Sequence, residues 1–144
     1  MEFYNTNMEK YFTVEAANRA LALVSPIVRD IMTKMREAQS FRETVKQDKA
    51  SPSASEVTLL EKLNKAEKLL NQVEYHMKEL ESVGVLLKDL QRGLVDFPCL
   101  YDGRIVYLCW MFGEEHINFW HETDRGFTDR RIVDASFMKE KATA

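Results

Sequence analysis

The chain has 144 residues, of which 45% are apolar and 30% charged, with a net charge of −3 and a pI near 5.7. That is enough apolar material for one domain with its own core. The even mixing of both charge signs argues against nucleic acid or an anionic membrane surface as a partner. No run approaches 18 apolar residues, the opening "MEFYNTNMEKYF" lacks the basic-then-apolar pattern of a signal peptide, and Cys99 and Cys109 form no CxxC motif. The expectation is therefore a soluble, cytoplasmic protein with two reduced, structural thiols in apolar surroundings.

The segment "YFTVEAANRALALV" opens a helix, with Thr13 placed to cap it and Glu15 in the first turn, where the helix dipole favours an anion. Apolar residues follow at Val14, Ala17, Leu21, Val24, Val28, Ile31, Met35 and Ala38, alternating spacings of 3 and 4. Arg42 interrupts this heptad stripe and Val45 resumes it. Pro26 removes one helical hydrogen bond. The stripe keeps its phase across it, which favours one kinked helix over a stop and restart. The polar stretch "QDKASPSAS", residues 47–55, reads as a turn. A second helix runs from about Glu56 to Ser82 with a stripe at Leu59, Leu63, Ala66, Leu70, Val73, Met77 and Leu80, and Gly84 is placed to end it. Two such helices predict an antiparallel hairpin over residues 13–83. Leu23, Ile27, Met32, Leu60 and Leu69 widen the apolar faces beyond what one hairpin buries well, so a homodimer through the hairpin is expected.

From Gly84 the period changes from 3.6 to 2. "VGVLLKDL" and "GLVDFP" read as short strands, the second ended by Pro98. "YDGR" carries an Asp-Gly turn signal. "RIVYLCWMF" is rich in β-branched and aromatic residues and reads as a strand. "GEEH" turns the chain, "INFWH" returns it, and "DRGFTDRR" reads as a loop. The expected class is α+β: a long antiparallel helical hairpin followed by a small antiparallel sheet of three to four strands over residues 84–133. A tail over 134–144, including "ASFMKEKATA", should be frayed or a short helix. The whole forms a single domain.

Several stretches together, "YFTVEAAN", "GVLLKDLQRGLVDFP", "LCWMFGE", "FWH" and "GFTDRR", resemble a bacterial domain-of-unknown-function family, number 2203, over roughly residues 11 to 133. The resemblance implies motif positions at Asp89, Gly93, Asp96, Phe97, Pro98, Trp110, Gly113, Glu114, Trp120, His121, Gly126 and Arg130, and assigns none of them a role. Where the family often reads "GF.GR", this chain has Asp129 in place of the glycine.

The segment "GEEHINFWHETDRGF", residues 113–127, concentrates the polar chemistry. His116 and His121 are five apart. That spacing puts them on opposite faces of a strand and is poor for joint ligation on a helix. His121 shares parity with Ile117 and Phe119, so it reads as a histidine on an apolar face that needs a partner. Asp96 sits inside an apolar strand, where a charge must be paired. Together with Asp89, Glu114 and Arg130 these residues can form a buried ion-pair network, a divalent-metal site at Asp96, Glu114 and His121, or an anion pocket at Arg130. Trp110 and Trp120 read as core or as pocket walls. His76 reads as a surface histidine. P-loop, GxGxxG, GxSxG, HExxH and Cys/His nucleophile patterns are all absent.

These readings favour a non-enzymatic, dimerising module that presents its motif-bearing surface to a protein or small ligand. The alternative is a metal-dependent or acid/base enzyme, such as a hydrolase, built on Asp96, Glu114, His121 and Arg130. The sequence leaves the cofactor unidentified, a divalent metal being the candidate.

Overall fold

A computed structural model describes residues 10–53 and 55–137. The first residues, read as free of a signal peptide, and most of the tail lie outside the described residues. Helix α1, Val14–Lys49, and helix α2, Glu56–Val83, pack as a hairpin. They are followed by strands β1 Leu86–Asp89, β2 Leu94–Tyr101, β3 Arg104–Met111, β4 Phe119–Glu122 and β5 Arg131–Ile132 in one antiparallel sheet of order β1-β2-β3-β4-β5. The fold is α+β. Among the described residues no helix is long and apolar enough to cross a membrane.

The caps follow the sequence. Thr13 Oγ1 accepts the amide of Ala16 at 3.0 Å, Ser55 Oγ accepts that of Thr58, and Gly84, at φ 98°, ends α2 in the left-handed conformation. Helix α1 runs unbroken through Pro26. The carbonyl deprived of its partner there is that of Ala22, an exposed residue, so water can satisfy it. At 1.5 Å per residue, α1 is about 54 Å long and α2 about 42 Å.

The heptad stripe of α1 is the buried face: Ala17, Leu21, Val24, Val28, Ile31, Ala38 and Val45 are all buried. In α2, Ala66, Val73 and Leu80 are buried, whereas Leu63 and Met77 are each 40% exposed. The sheet lays one face on the hairpin. Val95, Phe97 and Cys99 of β2, Val106, Leu108 and Trp110 of β3, and Trp120 of β4 join α1 and α2 in one core.

Three details depart from the sequence reading. Strand β2 passes through Pro98 to Tyr101. Proline is accommodated because β1 pairs only as far as Asp96, so no strand needs an amide from residue 98 on that edge. The Pro98 carbonyl instead accepts the amide of Phe12 at 2.7 Å. The return strand begins at Phe119, not Ile117. Ile117 is buried in the hairpin-side core and gives its amide to Asn18 Oδ1 at 2.8 Å, so it does not share a face with His121. The stretch read as a loop after β4 contains a 3-10 turn, Phe127–Asp129, and the two-residue β5, which brings the sheet to five strands.

Candidate functional site

The Asp-Gly turn sets the geometry of the outer sheet face. Asp102 and Gly103 take φ values of 51° and 76°, the two left-handed positions of a tight hairpin. Tyr101 therefore pairs with Arg104, and counting back along the ladder pairs Asp96 with Cys109. Strand β4 adds Tyr107↔His121 and Cys109↔Phe119. Asp96, Cys109 and His121 thus project from neighbouring strands onto the face turned away from the hairpin.

All three are buried: Asp96 and His121 are 3% exposed and Cys109 is 2% exposed. Their candidate ligand atoms lie within 4.8 Å of one another. His121 Nε2 is 3.1 Å from Asp96 Oδ1, and Nδ1–H donates to the Glu122 carbonyl at 2.7 Å. That backbone bond fixes the ring orientation and leaves Nε2 for the carboxylate. Burial raises the Asp96 carboxyl above its ordinary range, opposed by the His121 charge and hydrogen bond. Burial, reinforced by the Asp96 charge, pushes the Cys109 thiol up to about 12. Neither cysteine is in a disulfide. Cys109, however, sits beside a carboxylate and not in the wholly apolar surroundings expected for it.

A small pocket of about 130 Å³ opens on this cluster. Lys88 and Tyr107 line it from the sheet, and Thr123, Arg125, Gly126 and Phe127 line it from the segment after β4. That segment is held down by Arg130. Its guanidinium lies 4.0 Å from the Phe119 ring centre and 4.1 Å from that of Phe127, and it pairs with both Glu114 carboxylate oxygens at 3.1 and 3.0 Å. Glu114 Oε1 also accepts the Met111 amide at 2.8 Å.

The remaining residues singled out in the sequence fall elsewhere. Glu114 and Arg130 pair with each other beside the pocket, Arg130 reaches Cys109 as well, and the third member of the close group is Cys109, not Glu114. Asp89 folds back on its own turn, accepting the amides of Gln91 and Arg92 at 2.9 and 3.0 Å and pairing with the Arg92 side chain. Trp110 is buried on the hairpin side and donates Nε1–H to the Glu114 carbonyl; Trp120 is buried in the same core. His116 is exposed in the turn. His76 bridges the hairpin between Lys34 at 2.9 Å and Glu79 at 2.7 Å. Cys109 was the residue missed. Its signal was the Asp-Gly turn, which places residue 109 opposite residue 96 by counting alone.

The fold and site define an α+β protein in which a helical hairpin backs a five-stranded antiparallel sheet, with a buried Asp-Cys-His group on the sheet's other face. The family model described as "Uncharacterized conserved protein (DUF2203)" matches residues 10–133, and the chain belongs to that family. No curated protein and no solved structure matches the chain.

Proposed function

We propose that the protein is a dimerising binding module of a reducing, cytoplasmic compartment. In this reading the hairpin pairs with a second copy, and the outer sheet face holds a small ligand. The observation that carries it is one incompletely covered side of the hairpin. On α2, Leu59, Leu63, Leu70 and Met77 run along that side at helical spacing. Leu63 and Met77 are 40% exposed and Leu60 beside them is 59% exposed. The exposed carboxylates Glu56, Glu67, Glu74 and Glu81 flank this row. Across the groove, α1 offers the exposed cations Arg36, Arg42, Lys46 and Lys49.

A two-fold partner is the occupant that this arrangement fits. Turned about the axis, its acidic, apolar α2 row meets the basic α1 row, and the reverse contact forms at the same time. Two buried cysteines outside any disulfide support a reducing compartment.

Leu63→Lys tests the proposal, because a 40% exposed side chain can be replaced without burying a charge in the monomer. The expected result by analytical ultracentrifugation is a folded, helical monomer where the unaltered chain is a dimer. A Leu63→Lys chain that sediments as the unaltered one does removes this face as the interface.

A further inference from the structure

Asp96, Cys109 and His121 present one carboxylate, one thiol and one imidazole nitrogen, from three adjacent strands, within 4.8 Å of one another and buried except where a small pocket opens on them. An ion pair needs only two of these groups. The third, together with the orientation of the ring, points to a different ligand.

His121 is set up as metal-binding histidines are. Its Nδ1–H is tied to a backbone carbonyl, which fixes the ring and aims Nε2 at the cluster, where a metal would take the place of the proton shared with Asp96. Zinc bonded to sulfur at about 2.3 Å and to nitrogen and oxygen at about 2.0–2.1 Å would place its tetrahedral ligand atoms roughly 3.3–3.5 Å apart. The 3.1 Å separation of Nε2 and Oδ1 needs a slight opening to reach that spacing, and the sulfur, within 4.8 Å of both, must close up to it. A mixed S, N, O donor set selects a borderline ion over magnesium or calcium, which prefer oxygen alone. The ion's two charges would be balanced by the carboxylate and a thiolate. The register keeps the donors in place: Asp96 and Cys109 are cross-strand partners, and His121 is fixed by its pairing with Tyr107.

We infer that Asp96, Cys109 and His121 form a mononuclear site for a zinc-class divalent ion. Three ligands come from the chain, and the fourth position faces the pocket lined by Lys88, Tyr107, Thr123, Arg125 and Phe127. A water molecule at that position would be exposed to an incoming small ligand, as in zinc sites that keep an open position. The inference does not depend on dimerisation, because all three ligands belong to one chain.

The experiment is a titration of the metal-free, full-length chain with Co²⁺ alone, followed by absorption spectroscopy. The expected result is one ion per chain, with a thiolate-to-cobalt charge-transfer band and the intense d–d bands of four-coordination, both displaced by Zn²⁺. Cys109→Ser, which nearly preserves shape, should lose the charge-transfer band, while Cys99→Ser, altered on the hairpin side of the sheet, should keep it. Circular dichroism of both variants confirms that each is folded. Should Cys109→Ser fail to fold, a wild-type chain in which added Co²⁺ protects Cys109 but not Cys99 from alkylation gives the same answer. Failure to bind Co²⁺, binding without the charge-transfer band, or a band that survives in folded Cys109→Ser would each overturn the site.

Discussion

Asp96 and His121 carry the sharpest consequences of a single substitution. Their 3.1 Å contact is buried, so its loss is not made good by water. Asp96→Asn should lower stability by about 1–3 kcal/mol, read as a shift in the urea midpoint at constant slope. An unchanged midpoint would show that the pair contributes nothing to folding. The exposed carboxylates predict the acid limb of the stability curve. Hydrogen bonds from Arg104 hold Glu122 below its ordinary range, and the backbone amide of Arg92 does the same for Asp89. A lowered folded value means that the stabilisation is present above the unfolded value, about 4, and is lost as pH falls through the folded one. Glu122→Gln should therefore flatten the loss of stability on acidification, as measured by urea midpoints over that range. An acid limb identical to that of the unaltered chain would contradict this role. A charge within an apolar strand made Asp96 visible in the sequence. Cys109 was less visible because cysteine reads as a small hydrophobe, and only its ladder position reveals the carboxylate beside it.

At the scale of elements, the helices were legible because a 3-and-4 spacing over many turns has one physical solution, and the buried residues of α1 other than Ile27 fall on that stripe. The sheet was legible through Met111, apart from the run of β2 past Pro98, and less so beyond it. Residues 112–118 are irregular, so parity counted from Ile117 puts that residue on His121's face, whereas the strand starts at Phe119. The role of Arg130 was also hidden, since it depends on two rings that meet only in the fold. Lysine keeps the charge but not the planar stack on Phe119 and Phe127. Arg130→Lys should consequently speed hydrogen exchange in residues 123–130 while leaving the helices unchanged. Protection equal to that of the unaltered chain would show that the clamp is not what holds this segment. Gly93 makes the β1–β2 turn equally intolerant. At φ 68°, a Cβ would lie 2.7 Å from that of Phe112 and 2.8 Å from the Met32 sulfur. Gly93→Ala should lower the melting temperature by several degrees, and a melting temperature within a degree of the unaltered chain's would contradict the tight approach seen there.

At the scale of the molecule, the hairpin carries an apolar excess that we propose a second copy covers. Its sequence signature was apolar surplus beside the seams. Of that surplus Leu23 and Leu60 stay exposed and Ile27 is buried, while Leu63 and Met77, read as seam residues, are 40% exposed and bordered by charges. Because acidic and basic rows would face each other across the interface, association should weaken with added salt. The measurement that tests this most directly is light scattering on the unaltered chain across micromolar concentrations. The expected mass is twice that of the 16.8 kDa chain, declining toward a single chain on dilution at high salt. A mass of one chain throughout would contradict it.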